Sequence, residues 1–147
     1  PGLRAFAAQG YEIAVVTNQS GIGRGFFDEA RLAAIHHELA QQLGAHGIAL
    51  RGIFHCPHRP DERCACRKPE PLLLQRALND LGYRAEQCLV VGDKASDVEL
   101  GRRLGTRTAL VRTGDGAGTE RDGRCTPDLV VDGLAELAQL AVPEAVA

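Results

Sequence analysis

Cysteine and histidine crowd one short stretch of this sequence, Cys56-Pro57-His58 followed by Cys64-Ala65-Cys66. Three thiolates and one imidazole make a closed, tetrahedral Zn²⁺ site of the structural kind, with no open position for a reacting water. The one-residue spacers differ from the two-residue spacing of common zinc knuckles. His55 is adjacent and could compete with His58, and reduced thiols in a surface loop are the blander alternative.

Three other clusters carry groups suited to anions and metals. Thr17-Asn18-Gln19-Ser20-Gly21-Ile22-Gly23-Arg24-Gly25 offers a hydroxyl, two amides, a cation and three glycines that let backbone N–H groups approach an anion. A polar turn with tight geometry is the equal alternative. Arg67-Lys68-Pro69 places two cations just before a predicted helix, where they oppose the helix dipole and so hint at an anionic ligand. Gly92-Asp93-Lys94-Ala95-Ser96-Asp97 ends an apolar run with a carboxylate, a hard oxygen donor suited to Mg²⁺. Asp97, one turn on, could hold Lys94 or the metal shell, or could cap the helix.

These clusters need elements to position them. Apolar, β-forming runs predict strands at Tyr11–Val16, Leu50–His55, Cys88–Val91, Thr106–Val111 and Leu129–Val131. Helices are expected from Pro1 to Gly10, from Asp28 with Leu32, Ile35, Leu39 and Leu43 on one face, from Pro71 to Gly82, from Ser96 to Gly105, and over Leu134–Leu140. Asn18–Phe27 and Arg112–Pro127 read as loops, the second mobile. Alternating strands and helices predict an α/β fold with a parallel sheet covered on both faces, a three-layer Rossmann-like arrangement. Ligands of such folds bind beyond the carboxyl ends of the strands, which is where all three clusters fall.

Composition narrows the class. The 147 residues suit one domain, residues 1–147, with the zinc loop at 56–66 inside it. Only six residues are aromatic, so the core must be aliphatic. The net charge of −2 gives no support for a nucleic-acid partner, and no apolar run is long enough to span a membrane. Five cysteines, three of them in the cluster, suit a reducing compartment better than a disulfide framework, so a cytoplasmic location is expected; a monomer is expected as well. Cys88 is expected in the core, and His36, His37 and His46 on the surface.

A Thr at one strand tip, a Lys before a helix and an Asp at a later strand tip resemble, in that order, the second, third and fourth motifs of the haloacid dehalogenase-like superfamily. The resemblance implies phosphoryl transfer to an aspartate, with Thr17 bonding the phosphoryl oxygens, Lys68 neutralising charge and Asp93 holding Mg²⁺. With the zinc loop added, the chain resembles the D-glycero-D-manno-heptose-1,7-bisphosphate 7-phosphatases of that superfamily. That implies removal of the 7-phosphate of a small sugar bisphosphate on the route to nucleotide-activated heptose, for lipopolysaccharide. Asn18, Gln19, Ser20, Arg67 and Lys94 would contact the substrate, and Cys56, His58, Cys64 and Cys66 would bind the zinc.

The superfamily's first motif, Asp-x-Asp, has no counterpart before Thr17. The expectation is a chain lacking its first strand, a central one between the strands at 11–16 and 88–91. Histidinol-phosphate phosphatase has a similar zinc loop but usually Asp where Ser20 stands. Polynucleotide 3′-phosphatase has a similar glycine loop but no zinc loop. A non-catalytic zinc-binding remnant is the reading from another class.

Overall fold

The computed structural model describes residues 1–141. In chain order its elements are α1 (Gly2–Ala8), β1 (Ile13–Asn18), α2 (Ser20–Gly23), α3 (Glu29–Ala45), β2 (Leu50–Cys56) and α4 (Leu72–Leu81). Then follow β3 (Leu89–Gly92), α5 (Ala95–Leu104), β4 (Arg107–Val111), α6 (Gly116–Asp122), β5 (Leu129–Val131) and α7 (Leu134–Leu140). Every strand pair is parallel, as the alternation predicts. Contacts divide the described residues into two compact units, Glu12–Gly82 and Pro1–Tyr11 with the chain from Tyr83 onward.

In the first unit β1 pairs with β2, from Ile13 opposite Leu50 to Asn18 opposite Cys56. The strand therefore runs two residues beyond the predicted Val16. Thr17 and Asn18 are polar, but ladder partners at His55 and Cys56 outweigh propensity. Helix α4 packs on both strands and α3 on β2. The Asp28 carboxylate caps α3 by accepting the Arg31 N–H at 2.8 Å. Gly82 ends α4 at φ 75°, a left-handed position that favours glycine. Leu32, Leu73, Leu74 and Ala77 are buried. Ile35, expected inward, is 48% exposed. His36, expected on the surface, turns its ring edge toward His55 at 5.6 Å between centroids. Burial and the neighbouring His55 hold the His36 imidazole below its ordinary pKa.

In the second unit β4 lies between β3 and β5. Its inner residues Thr108, Ala109 and Leu110 are essentially inaccessible, with Val98, Leu100, Val131 and Leu137 around them. Truncating one of these leucines to alanine costs about 2–5 kcal/mol. The buried Thr108 hydroxyl donates to Asp128 Oδ2 at 2.9 Å, and its backbone N–H donates to the same oxygen at 2.7 Å. Helix α1 lies against α7, with Gly2 so close to Leu134 that a Cβ would fall 2.5 Å from the leucine Cβ.

Two expectations fail here. Residues 112–127 are not a loop throughout, since α6 forms within them. Arg112 holds that helix with two hydrogen bonds to Glu120, at 2.8 and 2.9 Å, and reaches Asp132 at 2.9 Å. Those partners raise the Arg112 pKa further, and the Arg112 guanidinium lowers that of Glu120. Cys88 is only half-buried, at the entrance to β3, where its thiol donates to the Arg84 carbonyl at 3.4 Å. Among the described residues β1 pairs with β2 alone and β3 with β4 alone.

Candidate active site and metal centre

The end of β1 brings together the predicted residues of the first unit. Asn18 grips Lys68 across fifty positions. Its Oδ1 accepts the Lys68 N–H at 3.0 Å, and its Nδ2 donates to the Lys68 carbonyl at 3.3 Å. Lys68 turns its ammonium back to the strand end, donating to the Val16 carbonyl at 2.9 Å. Gln19 follows and donates from Nε2 to Thr17 Oγ1 at 3.1 Å. Ser20 opens α2, its carbonyl accepting the Arg24 N–H. Hydroxyl, amides and ammonium are thus held by one side-chain pair, Gln19 with Thr17, and by bonds to the main chain of Val16 and Lys68.

The glycine loop works differently from expectation. Gly21 and Gly23 serve packing: a Cβ on Gly21 would strike the Phe27 ring at 2.2 Å, and one on Gly23 the Pro57 carbonyl at 2.9 Å. The Gly23 N–H donates to Pro57 O and the Gly25 N–H to Ile22 O, so neither is available to an anion. Only Gly25 has positive φ, 75°. Side chains rather than these glycine amides are the donors on offer. Phe26 is 76% exposed at the loop's tip.

Behind this loop lies the cysteine cluster. Ligand atoms of Cys56, His58, Cys64 and Cys66 all lie within 4.8 Å of one another. The sulfur–sulfur distances are 3.1, 3.5 and 3.7 Å, and His58 Nδ1 lies 3.3 Å from Cys66 and 3.5 Å from Cys56. A tetrahedral Zn²⁺ with sulfur at about 2.3 Å has edges of about 3.8 Å, so the sulfurs need only move apart by a few tenths of an ångström to reach that geometry. All are free thiols, and His58 rather than His55 joins them, because His55 bonds Glu29 at 2.9 Å. Burial, then the Cys66 thiol, pushes the Cys56 thiol up to about 12. A bound cation would reverse that and deprotonate it. The cluster ties into the strand end: Gln19 N–H donates to Cys56 O at 2.7 Å, and Arg67 reaches His58 O at 3.5 Å.

The end of β3 organises the second unit's residues. Gly92 is glycine for a steric reason, since a Cβ there would sit 2.3 Å from the Asp97 carboxylate. Asp97 is buried and accepts the Lys94 N–H at 3.1 Å through Oδ2, which caps α5. The cap is one of the roles open to Asp97. Asp93 Oδ2 accepts the Asp115 N–H at 2.9 Å, and Lys94 Nζ lies 3.3 Å from Asp115 Oδ2. Thr119 donates its hydroxyl to the Asp93 carbonyl at 2.8 Å. Asp115 and Thr119 went unread in the sequence, where Gly114-Asp115-Gly116 looks only like a turn.

A HAD-hydrolase-like family model matches residues 65–137. The D-glycero-β-D-manno-heptose-1,7-bisphosphate 7-phosphatase of Pseudomonas putida is 38% identical over 130 residues, 88% of this chain and 74% of that protein. The α-anomer enzyme of Photorhabdus laumondii is 37% identical over 121 residues, 77% of this chain and 66% of that protein. The D,D-heptose 1,7-bisphosphate phosphatase of B. bronchiseptica, solved with magnesium and phosphate, superposes with a TM-score of 0.89 at 35% identity, covering 99% of this chain and 84% of that one. This chain belongs to the heptose-bisphosphate phosphatase family of haloacid dehalogenase-like hydrolases.

Proposed function

We propose that residues 1–147 form one phosphatase domain that removes the 7-phosphate of D-glycero-D-manno-heptose 1,7-bisphosphate through an aspartyl-phosphate. The observation that carries the reading is the junction of a Cys₃His cluster with a Thr, Asn, Gln and Lys strand end in one unit. Thr17 Oγ1 orients a phosphoryl oxygen, and the Lys68 ammonium neutralises charge that develops during transfer. Asn18, through its grip on the Lys68 backbone, sets where that ammonium sits. Gln19, Ser20, Arg67 and Lys94 recognise the sugar and the phosphate that stays. Asp93 holds Mg²⁺, which supplies further charge neutralisation when bound; a carboxylate at a strand end suits this hard cation. No residue of this sequence matches the attacking aspartate of the family's first motif. Zn²⁺ in the Cys₃His site is structural. The five free thiols fit a reducing compartment.

The test is phosphate release by the full-length protein that carries this chain. Both heptose anomers, histidinol phosphate and a 3′-phosphorylated oligonucleotide are compared side by side with Mg²⁺. The heptose bisphosphate should exceed the others in kcat/KM by about 100-fold or more, and Lys68→Met should lose about 10³-fold. Preference for histidinol phosphate or the oligonucleotide, or no phosphate release at all, would overturn the reading. The anomer comparison has its own value, because relatives named for each anomer are nearly equal in identity.

A further inference from the structure

Asp93 is held at two points by one segment, residues 114–119. The Asp115 N–H binds its carboxylate and the Thr119 hydroxyl binds its carbonyl, at 2.9 and 2.8 Å. The first bond fixes the carboxylate's rotation, and the second fixes the backbone from which it projects. Two glycines allow the approach. A Cβ on Gly114 would lie 2.4 Å from Asp93 Oδ2, and one on Gly116 would lie 1.7 Å from the Val111 carbonyl oxygen. With Oδ2 committed to an N–H, Oδ1 is the oxygen left without a protein partner among the described residues.

We propose that Thr119 is a positioning residue for Mg²⁺, which holds the Asp93 backbone so that one carboxylate oxygen meets the cation. The proposal rests on the reading of Asp93 as a metal ligand. Groups that orient a metal ligand change metal affinity about 10–100-fold when they are removed. The Asp115 contact comes from the main chain, and only proline, which also restrains the backbone there, would delete it, so Thr119 is where the proposal is tested.

The experiment measures Mg²⁺ alone binding to the full-length protein by calorimetry, with no turnover. Thr119→Val should weaken the dissociation constant about tenfold, and Thr119→Ser, which keeps the hydroxyl, should stay within about twofold of wild type. Melting temperatures taken without Mg²⁺ show whether each variant is folded. If Thr119→Val does not fold, Thr119→Ala removes the same hydroxyl without the extra methyl and carries the same expectation. Unchanged binding in the hydroxyl-less variant, or equal weakening in the Val and Ser variants, would overturn the proposal. Asp93→Asn separates the two layers. If it binds Mg²⁺ as tightly as wild type, the ligand assignment fails and the proposal with it. If it loses binding while Thr119→Val does not, only the role of Thr119 is wrong.

Discussion

At the end of β1, Lys68 is held from fifty residues away in sequence, by both ends of the Asn18 amide, and the neighbouring loop leans on carbonyls of the cysteine cluster. At the end of β3, Asp93 and Lys94 are held by residues 97, 115 and 119, through hydrogen bonds and one exposed ion pair. The first arrangement depends on a loop whose four ligands have little reason to stay together without a cation. The second is a closed set of local caps and turns. A charged group is thus placed beside a cluster of candidate metal ligands in one unit and by local hydrogen bonds and an ion pair in the other.

The largest expected effect comes from Cys64→Ser. It should remove about one zinc per chain by metal analysis and lower the melting temperature by about 10 °C or more. Hydrogen exchange should quicken at residues 17–23 and 67–68 and stay near wild type at 93–119. Equal loss of protection in both regions would show one cooperative unit and break the contrast. Asn18→Ala is intermediate. It deletes both bonds to the Lys68 backbone and should cost about 1–2 kcal/mol in urea unfolding, with the zinc retained. Loss of zinc in that variant would merge the strand end with the metal loop.

The smallest effect is a pH dependence in the unit without the cysteine cluster. The Thr108 hydroxyl and amide hold the Asp128 carboxyl below the usual range. A depressed folded-state pKa contributes stability that is fully present above the unfolded value, about 3.9, and is lost as the pH falls through the folded value. Asp128→Asn should therefore cost about 1 kcal/mol at pH 7, at the low end for a bond to a charged group because Asp128 is exposed. The difference from wild type should shrink as unfolding is followed below pH 4. A gap that stays constant into acid would remove Asp128 from the ties of that unit.

The same contrast explains what the sequence discloses. Candidate metal ligands are named by residue type and spacing, so the cysteine cluster is legible before any fold is known. Asp28, Gly82 and Gly105 mark helix ends because capping is local chemistry. Helix α6 is not legible, since Gly116 and Gly118 count against a helix by propensity. What forms it lies elsewhere in the chain, at Arg112 and the Asp93 carbonyl. Thr119 and Asp115 were missed for that reason. Ile35 shows the converse: its spacing fits an apolar stripe, but the stripe's inward width is decided by what α3 packs on, which periodicity does not contain.

Gly92 and Asp97 carry a consequence for descent. The aspartate's carboxyl occupies the space that any side chain at 92 would need. Neither position drifts freely. A side chain at 92 would collide at the start of α5, and shortening the aspartate to alanine would lose the cap yet leave its Cβ 2.3 Å from the new one. A side chain at 92 therefore needs the backbone at the start of α5 to move, and the bare hydrogen there is what lets β3 and α5 approach so closely.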